Sequence, residues 1–153
     1  MSAERQIEQL KLALPAAPKA MGVYRPVLVH GGLIWVSGHG PLQPDGKLVT
    51  GRVGDDLTGQ EGYDAARITG LAMLASLRAE LGSLDRIGRL VKTFGMVQCT
   101  ADFKEIPAVI NGFSDLMRDV FGEERGVAAR SAVGMASLPG NIPVEVDAVF
   151  ALQ

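Results

Sequence analysis

The sequence is poor in cysteine, histidine and aromatic residues. Among its 153 residues there are one cysteine and two histidines, and aromatic residues make up 5%. One thiol cannot form a disulfide within the chain, and this set cannot build a cysteine-based or histidine-rich metal site. We therefore expect no disulfide framework, no metal site and a reducing, cytoplasmic setting.

An excess of either charge is also absent, as is any long apolar run. Lys and Arg number 15 against 17 Asp and Glu, which gives a net charge of −2. This balance, with few aromatic residues for stacking, disfavours nucleic acid as a partner. No apolar segment approaches the roughly 18 residues of a membrane helix. The first 14 residues mix charges with leucines, so they do not resemble a signal peptide.

Glycine, in contrast, is abundant, with 19 residues or about 12% of the chain against a usual share near 7%. The apolar fraction is 47%, and the length is that of a single ordinary domain. Near the N-terminus, Ile7, Leu10 and Leu14 recur at helical spacing. This spacing predicts a short amphipathic helix over Ala3–Leu12.

Strand-like segments lie at both ends of the remaining chain, and one more lies in its middle. Rich in β-branched residues or bounded by turn residues, they are Val23–His30, Leu33–Ser37, Lys47–Arg52, Ile87–Cys99, Ala129–Met135 and Val144–Leu152. Gly31-Gly32 predicts a two-residue hairpin turn between the first two segments.

Two helices are predicted between these strands. Thr58 and Glu61 have capping-box spacing, leucines follow every three or four residues, and Gly82 provides a C-terminal stop. A second apolar stripe lies between Asp102 and Gly122.

This order of elements predicts an α+β domain. Consecutive strands at both ends of the chain predict antiparallel hairpins, and the two helices can serve as crossovers between parallel strands. The result is one mixed sheet with two helices packed on one face. Since the other face must be buried by something, we expect oligomerisation.

Arg130 is the first candidate site residue. If its segment is a strand, Arg130, Ala132 and Gly134 share one face, and the small neighbours leave room for a planar anion. The guanidinium fork can hold a carboxylate through two parallel hydrogen bonds. The alternative is a structural ion pair with Glu145 or Asp147 on the last strand.

Each of the other candidate site residues also has a purely structural interpretation. Glu145 could orient water or move a proton, or be a solvated strand residue. Tyr24 could contact a ligand or be half-buried packing. Gly38-His39-Gly40 could be a turn where a small ligand meets bare backbone, but His39 has no carboxylate or serine partner at motif spacing.

Four motifs occur in order along the chain. They are Val36–Pro41, Gly82–Lys92, Asn111 within the second helix, and Ala129–Val133 followed by Leu138-Pro139 and Val144–Ala148. In these motifs the chain resembles the RidA/YjgF family of reactive-intermediate (enamine/imine) deaminases. The resemblance covers roughly Pro18–Leu152 and implies one RidA-like domain over residues 1–153, with residues 1–17 as an N-terminal extension. This extension and the segment Gly51–Tyr63 resemble a longer subgroup of the family.

The resemblance implies a chorismate-mutase-like α+β protomer. It further implies a homotrimer whose sheets form a central barrel and whose clefts lie between subunits. The reaction it implies is that of a 2-iminobutanoate/2-iminopropanoate deaminase. Such a hydrolase converts short 2-imino or 2-enamino acids to 2-keto acids and ammonia, with no cofactor and no metal.

The resemblance also assigns roles. Arg130 would grip the substrate carboxylate and Glu145 would position the attacking water. The remaining cleft residues it implies are Tyr24, Ser37, Gly38, His39, Asn111 and Ala132. Two of these depart from the family pattern: Ala132 stands in place of a cysteine, and His39 in place of a glutamine. His39 either adds pH-dependent behaviour near the pocket or is a turn residue.

Two other functions compete with the deaminase hypothesis. A trimer could bind a small carboxylate such as a 2-keto acid without chemistry. Ribonuclease or translation-inhibitor activity, attributed to some relatives, is disfavoured by the net charge and the low aromatic content.

Overall fold

A computed structural model describes residues 1–153 as five strands and three helices. The strands are β1 (Val27–His30), β2 (Leu33–His39), β3 (Ile87–Gln98), β4 (Ala129–Met135) and β5 (Val144–Leu152). The helices are α1 (Ala3–Gln9), α2 (Gly59–Leu81) and α3 (Ile106–Gly126). Short 3₁₀ turns cover Leu84–Arg86 and Pro139–Asn141.

The five strands form one mixed sheet in the order β1-β2-β5-β3-β4. The first three pairings are antiparallel, and β3 pairs with β4 in parallel. The predicted hairpin between β1 and β2 is confirmed. Both glycines of its turn have positive φ angles, 61° for Gly31 and 76° for Gly32. This is the combination that a two-residue type I′ turn requires.

Both long helices are crossovers, as the sequence predicts. α3 joins the parallel neighbours β3 and β4, and α2 joins β2 to β3, which run parallel on either side of β5. The predicted capping box of α2 is present, since Thr58 and Glu61 exchange hydrogen bonds, and Gly82 ends the helix with a left-handed φ of 80°. Gly122 breaks the helical geometry of α3, but one more turn follows it.

The core lies between the sheet and these two helices. Val144, Val146, Ala148 and Phe150 alternate along β5 and are fully or almost fully buried. They form one hydrophobic cluster with apolar side chains of α2 and α3, including Leu74, Leu77, Phe113 and Met117. The predicted α+β class, one mixed sheet with two helices on one face, is confirmed.

Two strand predictions near the N-terminus are wrong. Lys47–Arg52 forms no strand, only an isolated bridge between Leu42 and Leu48. Gly46 and Gly51 have φ angles of 84° and 130°, so the backbone turns at both ends of this segment. The first strand begins at Val27 rather than Val23, directly after Pro26, which has no N–H to donate to a sheet.

The predicted C-terminal hairpin is also wrong, because β3 lies between β4 and β5. Arg130 pairs with Thr93, and Thr93 pairs with the buried Ala148. Arg130 therefore lies on the sheet face that the helices cover. Glu145, one strand position away from buried Val144, projects from the opposite face. The alternative that Arg130 forms an ion pair with Glu145 or Asp147 is therefore wrong.

The second face of the sheet has no covering layer within the chain. Leu28 and Trp35, paired across β1 and β2, are 48% and 47% exposed. On the same face, Trp35 pairs with Val149 of β5, which is only partly buried. A tryptophan and a leucine left this exposed side by side form an apolar patch on the uncovered face of the sheet.

The N-terminal helix α1 is fixed to the rest of the domain. Ala3 and Ile7 are buried in the core. The Glu4 carboxylate accepts hydrogen bonds from Arg78 Nη2 at 2.6 Å and from the Leu84 N–H at 2.8 Å. No helix of the structure combines the length and the apolar character needed to cross a bilayer.

Candidate functional site

Two cavities contain almost all of the candidate residues. The larger, of about 780 Å³, is lined by five of them, namely Tyr24, Ser37, Gly38, His39 and Glu145. The smaller, of about 290 Å³, is lined by Arg130 and Asn111. Ala132 lines neither cavity and packs partly buried against the core. The candidates thus divide into two groups within one chain.

Glu145 stands at the start of β5, against a bulge in β2. The pairing of β2 with β5 shifts register between Val36 and His39, so Ser37 and Gly38 lie in the bulge. A Cβ on Gly38 would overlap Glu145 Oε2 and lie 2.9 Å from its Cδ. Only glycine allows the main chain to come this close to the carboxyl group.

The Glu145 carboxyl is suited to proton transfer. Burial raises its pKa above the usual value, and the nearby charge of Asp147 raises it further. A raised pKa brings a carboxyl group closer to the operating pH, where a general acid or base is most effective. Burial also raises the pKa of Asp147.

Ser37 connects this bulge to the segment that carries Tyr24. Its Oγ donates to the Arg25 carbonyl at 2.6 Å, and its N–H donates to the Pro26 carbonyl at 3.0 Å. Tyr24 is 46% exposed, and its hydroxyl accepts a hydrogen bond from the Met21 N–H at 3.1 Å. The phenol therefore lies at the rim of the larger cavity.

His39 is a buried scaffold residue rather than an exposed turn residue. Its side chain is 5% exposed, and its Nδ1 lies 2.7 Å from the Ser37 carbonyl. Since a carbonyl only accepts, Nδ1 carries the proton, and Nε2 accepts from the Ser76 hydroxyl at 2.8 Å. Burial lowers the pKa of His39, although the Ser37 hydrogen bond opposes this shift. The ring is therefore neutral and joins β2 to α2.

Arg130 reaches from the edge strand β4 to helix α3. Its Nη1 donates to Asn111 Oδ1 at 2.7 Å and to Ser114 Oγ at 3.2 Å. The Nε and Nη2 groups make no hydrogen bond within the chain, so part of the fork can still bind an anion. Asn111 and Ser114 orient the guanidinium without neutralising its charge.

Asn111 was predicted as a site residue, but sequence reasoning missed other residues around Arg130. Ser114 and Arg118 follow Asn111 at helical spacing on α3, and all three line the smaller cavity. This polar stripe is visible in the sequence and could have been found. Thr93 gave no signal, yet its Oγ1 is buried beside the cavity without a hydrogen-bond partner.

Lys19 and Ser76 were also missed. Lys19 lines the larger cavity from the N-terminal segment, and Ser76 lies within the apolar stripe of α2, where only the fold reveals its bond to His39. No group of three or more His, Cys, Asp and Glu side chains is arranged to hold a metal ion.

Comparison with known proteins identifies the family. A family model described as "YjgF/chorismate mutase-like, putative endoribonuclease" matches residues 4–146. The chain belongs to this YjgF family. The RidA/YjgF resemblance read from the four sequence motifs is thereby confirmed.

Individual YjgF relatives carry different names. The chain is 42% identical over 147 residues to Protein TCP17 of Trypanosoma cruzi, covering 96% of this chain and 92% of the relative. It is 27% identical to a 2-iminobutanoate/2-iminopropanoate deaminase of Salmonella typhimurium, over 90% and 94% of the two chains. The crystal structure of Atu1372 from Agrobacterium tumefaciens, whose function is unknown, superimposes with a TM-score of 0.90 at 40% identity, over 99% and 92%.

Proposed function

We propose that this YjgF-family protein hydrolyses 2-imino acids and their 2-enamino tautomers to 2-keto acids and ammonia. The proposed site lies between two copies of the chain, with Arg130 from one copy and Glu145 from the next. The observation that carries the proposal is that these two groups project from opposite faces of one sheet. A small molecule can contact both only if a second copy supplies one of them.

The exposed sheet face supports such an assembly. Leu28 and Trp35 lie on it with about half of their surface in solvent. Burying such side chains stabilises an interface by about 25 cal/mol per Å² of apolar surface removed from water. A homotrimer with its sheets facing inward would cover this patch in every copy and repeat the same cleft at each interface.

In the proposed reaction, Arg130 holds the substrate carboxylate. The Nε and Nη2 groups of its guanidinium form two charge-assisted hydrogen bonds with this carboxylate. These bonds fix the imine carbon beside the Glu145 carboxyl group. Asn111 and Ser114 keep the guanidinium in place. The buried Thr93 hydroxyl, which has no partner in the free protein, is available to a polar group of the substrate.

The chemical steps need only water and one proton-transfer group. Glu145 takes a proton from water as the water oxygen bonds to the imine carbon, and it passes this proton to the nitrogen as the C=N double bond becomes a single bond. The hydroxyl proton of the resulting carbinolamine then passes through Glu145 to the nitrogen, which leaves as ammonia when the C–N bond breaks and the C=O bond forms. No electrons are exchanged with a cofactor, and Glu145 returns to its starting state.

The test is ammonia release from imino acids generated in situ by an amino-acid oxidase, with catalase present. Arg130→Ala and Glu145→Gln should each lower the enzymatic rate by about 10² or more, the usual contribution of a positioned proton-transfer group. Arg5→Ala and Glu8→Gln, which alter exposed residues of α1, are matched controls and should keep the wild-type rate.

Two results would contradict the proposal. A folded wild-type protein that binds 2-keto acids in a titration but does not accelerate ammonia release above the spontaneous rate would be a binding module instead. Cleavage of RNA that depends on Glu145, with no effect on imines, would assign a nuclease function.

A further inference from the structure

The larger cavity has a polar end and an apolar end. At the polar end, the Glu145 carboxyl lies against the main chain of Gly38. Two residues further along the chain, just after the end of β2, a Cβ on Gly40 would lie 2.8 Å from Ile142 Cδ1 and 3.9 Å from Leu48 Cδ2. Because two residues of extended chain span at most about 7 Å, the main chain at the two ends is no further apart than that.

The apolar end is built from two turns of the same chain. Leu42 and Leu48 are bridged across the Gly46 turn, and a Cβ on Gly140 would lie 3.9 Å from Leu48 Cδ1. Ile142 is buried, whereas Leu48 remains 44% exposed. We call Leu42, Leu48 and Ile142 the apolar wall of the cavity.

The buried amide of Gln98 holds this wall in place. Its Nε2 donates to Asn141 Oδ1 at 2.8 Å and to the Gly51 carbonyl at 3.2 Å. Its Oε1 accepts from the Leu138 N–H at 3.1 Å. The turn that carries Ile142 is thus fixed before any ligand binds, and a preformed apolar surface favours ligands that fill it.

The cavity is larger than the shortest substrates of the proposed reaction need. It measures about 780 Å³. A 2-imino acid with a methyl side chain has roughly six heavy atoms and fills about 180 Å³, even at the 30 Å³ that a water molecule takes in the liquid. Such a substrate, held at Glu145, would leave the exposed surface of Leu48 without an apolar partner.

We propose that this protein acts preferentially on 2-imino acids with apolar side chains of leucine to phenylalanine size. The side chain would run from the reacting carbon at Glu145 to the apolar wall. This inference rests on the proposed deaminase function and specifies its substrate class. The wall is formed within one chain, so a second copy that supplies Arg130 to the polar end leaves the wall in place.

The experiment compares kcat/KM for imino acids generated by an amino-acid oxidase from alanine, 2-aminobutyrate, leucine, methionine and phenylalanine. One methylene group in an apolar pocket changes kcat/KM by about tenfold or more. We therefore expect the leucine-derived substrate to exceed the alanine-derived one by at least about tenfold.

Substitution of the wall gives a second readout. Leu48→Trp should fill the apolar end and lower the ratio of leucine-derived to alanine-derived kcat/KM by about tenfold. Leu10→Trp, at a residue that follows α1, is 43% exposed and does not line the cavity, is the matched control and should leave the ratio unchanged.

The outcomes separate the two proposals. Turnover of the short substrates that equals or exceeds turnover of the long ones, with no change of ratio in Leu48→Trp, would overturn the substrate class alone. No acceleration for any of the five substrates would overturn the deaminase function and the substrate class together.

Discussion

Gly38 shows how one missing side chain shapes the candidate site. Any Cβ at this position would occupy the space of the Glu145 carboxylate. The obstructing group is the end of a flexible side chain, so Gly38→Ala should fold but displace the carboxyl. We predict at least a tenfold loss of kcat in ammonia release, with little change of Tm.

The matched control for this prediction is Gly59→Ala. At the start of α2 a new Cβ would meet only the Phe103 ring, at an ordinary contact distance of 3.6 Å. This variant should keep full activity. If Gly38→Ala kept it too, the close approach to Glu145 would have no functional role.

His39 gives a prediction about pH. Burial holds the pKa of the folded state below the ordinary value of 6.5, so the unfolded chain binds a proton at higher pH than the native protein does. The stability that His39 contributes is therefore present above about pH 6.5 and is lost as pH falls through the folded-state pKa. We expect the wild type to lose more stability than His39→Gln between pH 7.5 and 5.5.

Urea unfolding at the two pH values measures this difference. Glu145 and Asp147, whose pKa values are raised, change stability in the opposite direction as pH falls. Because both carboxyl groups are present in wild type and variant, the comparison isolates His39. Exposed His30, changed to Gln, serves as control, and equal pH dependence in wild type and His39→Gln would refute the assignment.

At the residue scale, sequence predicts the types of group better than their partners. An arginine among small residues and a glutamate on a strand indicate their chemistry without a structure. The partner of His39 could not be predicted, because Ser76 lies 37 residues away in an apolar helix stripe. No local pattern relates the two.

At the element scale, strand order escaped prediction. The same alternate residues of β5 are buried whether β4 pairs directly with β5 in a hairpin or β3 lies between them, as observed. Alternation therefore cannot distinguish them, and short connections favour the hairpin. The α2 helix was predictable because its N-terminal capping box, its apolar residues at helical spacing and the glycine that ends it all lie within one segment.

Gln98 provides a prediction at the same scale. Gln98→Leu would leave the Leu138 N–H, the Asn141 Oδ1 and the Gly51 carbonyl without their present partner. At about 1 kcal/mol for each bond, we expect a loss of about 2–4 kcal/mol in the free energy of unfolding.

Urea unfolding of Gln98→Leu checks this value against Gln60→Leu. Gln60 is exposed and its amide bonds only to Asp64 on the surface of α2, so its replacement should change stability by less than about 0.5 kcal/mol. A similar small effect for both variants would show that the turns do not depend on Gln98.

At the scale of the whole molecule, the exposed face of the sheet predicts assembly. We expect the 16.2 kDa chain to sediment as a trimer. Leu28→Asp places a charge in the apolar patch and should produce monomers that lose ammonia release, because the proposed site needs two copies. Leu10→Asp, on an equally exposed leucine of the N-terminal region, should stay assembled and active.

The fold class and the uncovered face were predictable from the order of strands and helices, because two crossover helices on one side of a sheet leave its other face bare. The division of the candidate site residues between the two faces of the sheet was not predictable. It depends on the register that places Arg130 beside Thr93 on one face and Glu145 on the other, and no single-chain pattern encodes a site completed by a second copy.

Mixing two inactive variants tests the central claim most directly. Arg130→Ala keeps Glu145, and Glu145→Gln keeps Arg130, so a mixed assembly contains interfaces with both groups intact. Co-expressed in equal amounts, the pair should recover roughly a quarter of wild-type ammonia release, since each interface draws its two copies at random. A co-expressed mixture as inactive as its separate components would contradict a site shared between copies.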